Sequence, residues 1–384
     1  MKISGNWIED PATQAVFAAL KHAGHQALFV GGCVRNALLN TPVKDIDIAT
    51  DAHPEEVMKL ARTAGLKAIP TGIDHGTVTV VSGGIPHEIT TFREDVETTG
   101  RHAVVAFARD ITQDARRRDF TMNALYARAD GEVIDPLGGL DDLKARRVRF
   151  IEDPVQRIRE DYLRSLRFFR FHAWYGDPEA GMDAEALDAI ARHLEGLETL
   201  SRERVGGEIT RLLAAPDPAP AVAAMRATGV LNAVLPGAED HALALLVHLE
   251  QQIELTPDAM RRLAVIGGQD VADRLRLSKA EARKLTLLRD QVGALTPAIE
   301  LGYRLGHDTG LSVLLLGAAL LESPFDPADI AKLMTGAKAV FPIKPADLMP
   351  DYSGPALGKR IKALEDEWLA SGCTLSRDVL LGRS

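Results

Sequence analysis

The stretch Phe29-Val-Gly-Gly-Cys-Val-Arg-Asn-Ala-Leu-Leu39, which is followed by Asp45-Ile-Asp-Ile48, decides the fold of this chain. The apolar run Ala27 to Val30 predicts a strand that ends at two glycines, and a helix is predicted after them. Asp45 to Ala49 alternates polar and apolar residues, which is typical of a half-buried strand. The segment therefore predicts a strand, a glycine turn, a helix and a second strand.

Two carboxylates lie close together on this second predicted strand. Asp45 and Asp47 are two positions apart, so both side chains leave the same face of the strand. Two like charges at that spacing repel each other, and one of them is expected to resist ionisation. A divalent cation removes this conflict, and hard oxygen ligands suit Mg²⁺. Asp45 and Asp47 are therefore candidate metal ligands and candidate catalytic residues.

The glycines provide a candidate phosphate site beside these carboxylates. Gly31 and Gly32 lie between a predicted strand and a predicted helix, where backbone N–H groups can hold phosphate oxygens. Arg35, one turn into the helix, adds a forked positive group. Two metal ions on such a platform can activate a 3′-hydroxyl and stabilise a leaving pyrophosphate.

The remainder of the chain changes its pattern near Asp153. Before it, short β-like runs alternate with helical stretches; the predicted strands include Thr77 to Val81 and His87 to Phe92, and the predicted helices include Pro54 to Ala64 and Asp119 to Arg128. After it, Ala/Leu/Arg/Glu segments at helical spacing replace the alternation. The sequence predicts an α+β fold, with an N-terminal α/β domain and an all-helical remainder. Ala214 to Pro220 is the candidate hinge or tight connection between helices.

Composition and charge limit the class of protein. The 46% of apolar residues is typical of a globular protein with a sizeable core. The net charge of −9 argues against a protein that coats RNA indiscriminately. Residues 144–171, however, hold nine Lys and Arg against four acids, so the basic charge is segregated.

Cysteine usage and hydropathy bear on the compartment. Cys33 and Cys373 have no CxxC partners, which argues against a disulfide framework and fits a reducing cytoplasm. Met1 to Asp10 does not read as a secretory signal. The longest apolar run, Leu311 to Leu321, is too short to span a bilayer and predicts a buried helix.

A second motif is Arg117-Arg-Asp-Phe-Thr-Met-Asn-Ala-Leu125. Asp119, Thr121 and Asn123 place several hydrogen-bond donors and acceptors within about one turn of a predicted helix start. Such a group can hold a ribose and a triphosphate. The alternative interpretation is a basic helix start on the protein surface.

A third motif is Arg159-Glu-Asp-Tyr-Leu-Arg-Ser-Leu-Arg-Phe-Phe-Arg-Phe171. Asp161 and Arg164 at helical spacing i, i+3 would project from one side of a helix, either as a salt bridge or as a base-reading pair. A carboxylate can accept from the exocyclic amino group of cytosine or adenine while a guanidinium donates to the ring nitrogen. Uracil and guanine present a carbonyl oxygen there, so the pairing fails.

Taken in order, these motifs resemble those of the tRNA CCA-adding nucleotidyltransferases and bacterial poly(A) polymerases of the polymerase-β superfamily. The matching pattern is Gly31-Gly32-x-Val34-Arg35 followed by Asp45-x-Asp47. Members usually carry Asp after the Arg, whereas this chain has Asn36, which keeps hydrogen bonding but not the charge and is not assigned to metal binding. The resemblance implies a third catalytic carboxylate on a neighbouring strand, and Glu88 is the candidate by position.

The resemblance also implies roles for the later motifs. The RRDFT-x-N pattern implies nucleotide binding with a preference for ribonucleotides, carried by Arg118, Asp119 and Asn123, with Arg117 in a weaker role. The EDxxR pattern implies base selection; its residues are Glu160, Asp161 and Arg164, with Arg167 as a further nucleotide-binding candidate on the same helix. Arg204 and Glu208 are expected to brace that helix, and Arg93 to Arg109 resembles a mobile loop near the active site.

The organisation implied is a polymerase-β-like catalytic head (1–150), a helical neck with the base-selecting motif (151–215), and a helical, RNA-binding body and tail (216–384). The implied activity is Mg²⁺-dependent addition of C, C and A to the acceptor end of tRNA from CTP and ATP, with release of pyrophosphate. Neither a membrane nor an obligate protein partner is expected. The alternatives are a poly(A) polymerase, an enzyme that adds only CC or only A, and a non-catalytic nucleotide-binding regulator.

Overall fold

The structure, a computed structural model, describes residues 1–99, 102–108 and 110–382. The chain forms two compact units. The first comprises Met1–Glu208 and Ala227–Val234, and the second comprises Ile209–Arg226 and Leu235–Ser384. The two units divide after Glu208, whereas the sequence predicts domain boundaries near residues 150 and 215. The three-part organisation stays a prediction.

The first unit contains the strands of the described chain. They are β1 (Ala27–Val30), β2 (Ile46–Thr50), β3 (Lys67–Gly72), β4 (Thr77–Ser82), β5 (Ile85–Thr91), β6 (Arg93–Thr99), β7 (His102–Phe107), β8 (Tyr126–Ala127) and β9 (Val133–Ile134). Seven of them form one sheet in the order β3-β4-β5-β2-β1-β8-β9. The strands β2 and β5 are parallel, and the other neighbours in this sheet are antiparallel.

Most strands of this mixed sheet follow the predicted pattern. The predicted strands at Ala27 to Val30, Asp45 to Ala49, Thr77 to Val81 and His87 to Phe92 correspond to β1, β2, β4 and β5. In β4 the side chains of Val78, Val80 and Ser82 are buried in alternation, as period-2 side-chain direction requires. The predicted α+β class is confirmed, and β2 lies inside the sheet between β5 and β1.

Helices precede, separate and follow these strands along the described chain. They are α1 (Asn6–Glu9), α2 (Pro11–His22), α3 (Gly32–Leu38), α4 (Pro54–Thr63), α5 (Ile111–Arg116), α6 (Gly139–Lys144), α7 (Pro154–Glu160), α8 (Leu163–Tyr175), α9 (Ala184–Ala191), α10 (Arg202–Leu213), α11 (Ala219–Ala227), α12 (Val230–Val234), α13 (Leu243–Gln252), α14 (Ala259–Ile266), α15 (Val271–Arg274), α16 (Lys279–Val292), α17 (Ala298–Leu320), α18 (Ala328–Lys338), α19 (Gly354–Ala370) and α20 (Arg377–Leu380). The predicted helix at Pro54 to Ala64 is α4, with Pro54 in its first turn.

The helix predicted for Asp119 to Arg128 is wrong. Thr121–Asn123 forms a single 3₁₀ turn, and Tyr126–Ala127 is the strand β8, paired with Phe29 and Val30 of β1. Tyr126 and Ala127 are fully buried in the sheet. Pairing to β1 and burial on the sheet therefore override the helix propensity of this short run.

The segment Arg93 to Arg109, which resembles a mobile loop, contains two strands in the structure, and its mobility stays a prediction. Arg93–Thr99 and His102–Phe107 are β6 and β7, an antiparallel pair separate from the main sheet. Gly100, Arg101 and Arg109 lie outside the described residues.

The second unit is helical over its described residues. The predicted buried helix at Leu311 to Leu321 forms the C-terminal part of α17, where Leu311, Leu315 and Leu316 are buried. The predicted connection at Ala214 to Pro220 joins α10, which ends at Leu213, to α11, which starts at Ala219. Among the helices of the described ranges, none combines the length and the apolar character that crossing a membrane would need.

Candidate active site

Three candidate carboxylates lie on or directly before two neighbouring strands. Asp47 is on β2, and Glu88 is its direct register partner on the parallel strand β5. Asp45 immediately precedes β2, two positions before Asp47. Asp47 is half-buried, whereas Asp45 and Glu88 are exposed. The parallel pairing, which the sequence pattern does not specify, is what places Glu88 beside Asp47.

Charged groups from several parts of the chain act on the pKa of Asp47. Burial, followed by the negative charge of Glu88, raises the pKa of Asp47 to about 6, and Asp45 contributes in the same direction. Arg118 and Arg35 act in the opposite direction and lower this pKa. Carboxylates and guanidinium groups from separate parts of the chain therefore meet around one half-buried aspartate.

This cluster fits a divalent cation that is completed by other ligands. Burial and then the charge of Glu88 raise the pKa of Asp47, and a bound cation would favour its ionised carboxylate. Within the residues that the structure describes, however, no three His, Cys, Asp or Glu side chains converge closely enough to hold an ion by themselves. Mg²⁺ commonly binds one or two carboxylates together with waters and substrate phosphates. Asp45 and Asp47 are thus suited to an open site.

Gly31 connects β1 to α3 in a conformation that favours glycine. Its φ is 69°, in the left-handed region that costs other residues free energy. A Cβ atom at this position would lie 3.3 Å from Nη1 of Arg118. Gly31 thus allows the guanidinium of Arg118 to approach the backbone closely. At Gly32 a Cβ would make only an ordinary contact of 3.8 Å with Arg35.

A chain of hydrogen bonds links the glycine segment to the second motif. The Nη1 group of Arg35 donates to Oδ1 of Asn123 at 2.5 Å, and Nδ2 of Asn123 donates to Oδ1 of Asp119 at 2.9 Å. The other carboxylate oxygen of Asp119 accepts from Nε and Nη2 of Arg167 at 2.8 and 2.5 Å. Although burial opposes ionisation, Arg167 and Asn123 lower the pKa of Asp119. Four predicted nucleotide-binding residues therefore form one network.

Arg118 is held by a buried carboxylate that sequence reasoning missed. Asp114 accepts from Arg118 at 3.1 Å, from Arg117 at 2.9 Å and from the hydroxyl of Tyr126 at 2.7 Å. Despite burial, Arg118 and Arg117 hold the pKa of Asp114 far below its usual range. The spacing of Asp114, three and four residues before the arginines, is the signal that could have revealed it.

The structure corrects the geometry predicted for Asp161 and Arg164. Asp161 lies between α7 and α8 with extended backbone (φ −152°, ψ 103°), so the helical i, i+3 spacing does not apply. Its carboxylate pairs with Arg204 at 2.6 Å, while Arg164 pairs with Glu160 at 2.6 Å. In the described structure these two residues are therefore paired elsewhere and not with each other. The side chain of Asp161 accepts the N–H of Leu163, the first residue of α8, at 3.1 Å.

Arg164 contacts the second motif directly. Its Nη2 donates to the carbonyl oxygen of Arg117 at 2.8 Å, and Arg157 donates to the carbonyl of Arg116 at 2.8 Å. Glu160 forms ion pairs with both Arg157 and Arg164. The third motif thus supports the backbone that precedes Asp119.

Glu208 and Arg204 of α10, the residues expected to brace α8, each pair with a residue in or just before that helix. Glu208 is 2% exposed and pairs with Arg170 of α8 at 2.5 Å. Arg204 reaches Asp161, as described above, through a partly exposed ion pair.

Tyr175 is a further residue that sequence reasoning missed. The centroid of its ring lies 4.1 Å from the Arg35 guanidinium, and its hydroxyl accepts from Nη2 of Arg35 at 2.9 Å.

Two family models match this chain. Residues 27–149 match the Poly A polymerase head domain, and residues 181–241 match the probable RNA and SrmB- binding site of polymerase A. The first match contains the carboxylate cluster and the Arg118 network.

Curated relatives and solved structures are similar to this chain as well. A CCA-adding enzyme of Anoxybacillus flavithermus is 42% identical over 224 residues, 58% of this chain and 54% of that protein. The human mitochondrial CCA tRNA nucleotidyltransferase 1 is 42% identical over 190 residues, 49% of this chain and 44% of that protein. The chain thus matches about half the length of these curated relatives.

Among solved structures, the Bacillus stearothermophilus CCA-adding enzyme in complex with CTP has a TM-score of 0.67 and 28% identity, and the match covers 94% of both chains. The Thermotoga maritima CCA-adding enzyme complexed with tRNA has a TM-score of 0.73 over 100% of this chain and 97% of that one. At 19% identity this second likeness concerns the fold alone.

Proposed function

We infer that this chain, whose residues 27–149 match the Poly A polymerase head domain and which is 42% identical over 224 residues to a CCA-adding enzyme, is a template-independent nucleotidyltransferase that adds C, C and A to the 3′ end of tRNA. The donors would be CTP and ATP, and pyrophosphate would leave. The observation that carries this proposal is the meeting of Asp45, Asp47 and Glu88 with two guanidinium groups, Arg35 and Arg118, around one half-buried site. Opposite charges of this kind suit a metal-bound triphosphate.

The carboxylates and the arginines have different roles in this proposal. Asp45 and Asp47 would hold Mg²⁺, and Glu88 would act as the third catalytic carboxylate. When bound, two such ions supply activation of the 3′-hydroxyl and stabilisation of the leaving pyrophosphate in an in-line displacement. Arg118, fixed by Asp114, would bind the triphosphate beside the backbone of Gly31 and Gly32.

The network behind the glycines would bind the sugar. Asp119 and Asn123 are held by Arg167 and Arg35, so their orientation is fixed before a nucleotide arrives, as tight positioning requires. Asp119 is 7% exposed and Asn123 6%. We assign them the ribose and the preference for ribonucleotides.

Asp161 is our candidate for selecting the base. Its carboxylate would accept from the amino group of cytosine or adenine, and Arg164 would donate to the ring nitrogen. This requires Arg204 to release Asp161 and Arg164 to turn from Glu160. The pair of Asp161 and Arg204 is partly exposed, and exposed ion pairs exchange partners at low free-energy cost.

The remaining assignments follow from the same proposal. Residues 1–150 would be the catalytic head and 151–215 the neck, and residues 216–384 would bind the acceptor arm of tRNA. Both cysteines, Cys33 and Cys373, are free thiols, which supports the cytoplasm as the compartment.

The test is to offer the purified protein three tRNAs, ending before CCA, after C and after CC, with labelled CTP and ATP and with Mg²⁺. Addition that stops after the final A supports the proposal. A long adenylate ladder would indicate a poly(A) polymerase, the alternative that the head family suggests. No incorporation of either nucleotide would contradict an enzymatic function and favour a nucleotide-binding regulator.

Variants make this test specific to the site. Asp45→Ala and Asp47→Ala should each abolish incorporation while the far-ultraviolet circular dichroism stays unchanged. Asp130→Asn is the matched control, because Asp130 is exposed and lies on the turn between β8 and β9. It removes one negative charge from the same unit and should retain full activity.

A further inference from the structure

The ring of Tyr162 lies directly on the backbone of Gly196. A Cβ atom at Gly196 would overlap three ring carbons of Tyr162, namely Cγ, Cδ1 and Cε1. Gly196 is buried inside the 3₁₀ helix Leu194–Thr199, a backbone conformation that any L-residue adopts. The turn itself therefore does not require a glycine at this position, whereas the tyrosine ring does.

Tyr162 lies in the interruption between α7 and α8. It follows Asp161, whose backbone is extended (φ −152°, ψ 103°), and it adopts the helical conformation (φ −58°, ψ −19°) with which α8 begins. Because the two residues share one planar peptide group, a shift in the backbone of Tyr162 would redirect the side chain of Asp161. The direction of the Asp161 carboxylate thus depends on what holds Tyr162 in place.

Other contacts join the same two parts of the chain, which both belong to the first unit. Nε of Arg159 donates to Nε2 of His193 at 3.1 Å, three residues before Tyr162 and Gly196 respectively. The carbonyl oxygen of Gly196 accepts the hydroxyl of Thr199 at 2.7 Å, within the same 3₁₀ helix. The glycine that contacts the ring is therefore held in a buried, hydrogen-bonded turn.

The ring contact and the ion pair of Asp161 respond differently to a bound base. The carboxylate of Asp161 pairs with Arg204 at 2.6 Å, and the proposed function requires Arg204 to release it when a base binds. The packing of the Tyr162 ring on Gly196 uses no polar group and persists after this release. Because close-packed groups resist displacement, the ring holds Asp161 in position while its ion pair is open.

We propose that Tyr162 is a positioning residue for base selection: its ring, packed on Gly196, fixes the backbone of Asp161 and thereby the direction of the carboxylate. Asp161 is the group that touches the base, and Tyr162 acts through it. This inference rests on the proposed function, since it needs Asp161 to select the base.

The first experiment removes the space that the ring occupies. Gly196→Ala places a methyl group where the ring lies, so Tyr162 must move. Steady-state kcat/KM is measured for CTP and for UTP on tRNA that lacks CCA, and the ratio of the two should fall on the order of tenfold. Gly293→Ala is the matched control: Gly293 is exposed, its φ is −71°, and no described atom lies within 4 Å of an added Cβ. It should keep the ratio.

A second set of variants tests whether the ring is the cause. Tyr162→Phe keeps the ring and should keep the ratio of CTP to UTP. Tyr162→Ala removes the ring and should lower the ratio. Adding Gly196→Ala to Tyr162→Ala should cause no further loss, because the methyl group then has room; such non-additivity is the signature of a direct contact.

Tyr162→Pro separates the ring from the backbone conformation. Proline fixes φ at about −65° and favours extended backbone in the residue before it, which matches the φ of −58° at Tyr162 and the extended Asp161. This variant should therefore recover most of the ratio that Tyr162→Ala loses. Thermal unfolding of each variant controls for the fold, because a ring that only stabilises the structure would change Tm and leave the ratio unchanged.

Three results would overturn the inference alone: Gly196→Ala and Tyr162→Ala discriminating between CTP and UTP as the unaltered protein does, additive losses in their combination, or Tyr162→Pro discriminating no better than Tyr162→Ala. If the unaltered protein incorporates neither CTP nor ATP, the proposed function fails, and the inference fails with it.

Discussion

Asp47 lies directly opposite Glu88 across the parallel pair of β2 and β5. After burial, Glu88 is the largest cause that raises the pKa of Asp47, to about 6. Two carboxylates at adjacent register positions oppose folding until a cation or a proton binds between them. Such an arrangement is unfavourable for stability and useful for binding a metal ion.

The first prediction concerns the stability of the metal-free protein. Since the pKa of Asp47 is higher in the folded than in the unfolded state, the folded protein binds more protons between about pH 4 and pH 6. The contribution of this proton is fully present below about pH 4 and is lost as the pH rises through about 6. Asp47→Asn should therefore raise the free energy of unfolding at pH 8 by about 1 kcal/mol, with allowance for partial exposure, and leave it unchanged near pH 4.

Urea unfolding in the presence of a chelator measures this difference. Mg²⁺ added in excess should then stabilise the unaltered protein but not Asp47→Asn, because a ligand that binds the folded state alone stabilises it by mass action. A variant that is less stable than the unaltered protein at pH 8 without metal would contradict the prediction.

The second prediction concerns Asp114. It is 1% exposed and neutralises both Arg117 and Arg118, so Asp114→Asn leaves two guanidinium groups without their carboxylate. We expect a loss of about 3 kcal/mol in the free energy of unfolding at pH 7, together with a higher KM for CTP and ATP. Asp110→Asn on the same helix is the control; Asp110 is exposed and caps α5, and Asn caps about as well as Asp.

The contribution of Asp114 to the free energy of unfolding depends on pH with the opposite sign from that of Asp47. The pKa of Asp114 is depressed in the folded protein, so its contribution is fully present above about pH 4, the usual value. The contribution is lost as the pH falls towards the folded pKa in strong acid. The difference between Asp114→Asn and the unaltered protein should therefore be constant from pH 6 to 8 and shrink below pH 4. A constant difference down to pH 3 would contradict the assignment.

The strands and the carboxylate pair could be predicted from the sequence because both depend on local spacing. Alternation marks β2 and β4, and the separation of two residues predicts one shared face for Asp45, which lies just before β2, and Asp47 on β2. Asp119 to Arg128 could not be predicted, because its backbone is decided by pairing with β1, almost a hundred residues earlier in the chain. Tyr175 contacts Arg35 although the two residues are 140 positions apart in the chain, and a single sequence contains no signal for such a contact.

Motif spacing also misled the prediction where a helix is interrupted. The i, i+3 argument for Asp161 and Arg164 assumes a continuous helix, whereas α7 ends at Glu160 and α8 starts at Leu163. The extended backbone of Asp161 alone is enough to direct the two side chains to different partners. The pairing of Asp161 depends instead on α10, through Arg204.

The third prediction concerns base selection. Asp161→Ala removes the acceptor for the exocyclic amino group, so the ratio of kcat/KM for CTP to that for UTP should fall about tenfold to a hundredfold. Arg204→Ala is the matched variant, because it removes the partner of Asp161 and leaves the carboxylate; it should keep the preference for CTP. If Asp161→Ala still excluded UTP and GTP, the base-pairing argument for this residue would be wrong.

The fourth prediction concerns the second unit, where Glu250 is 1% exposed and lies between two buried arginines. It pairs with Arg261 at 2.6 Å and with Arg262 at 2.8 Å, and Arg262 also donates to the carbonyl oxygen of Leu213 at 2.7 Å, at the end of α10. Removing one partner of a buried ion cluster leaves uncompensated charge, which costs about 3–5 kcal/mol.

Glu250→Gln should therefore lower Tm strongly, while CTP binding, which we assign to the first unit, keeps its dissociation constant below the unfolding transition. Glu239→Gln, an exposed position in the same unit, should change neither quantity. Because the charge of Glu250 is shared by two guanidinium groups, Arg261→Met combined with Glu250→Gln should recover part of the lost stability: the double variant removes one of the two stranded cations. Calorimetric scans of Glu250→Gln, Arg261→Met and the double variant measure this coupling, and additive losses would show that Glu250 interacts with Arg261 too weakly to organise this core.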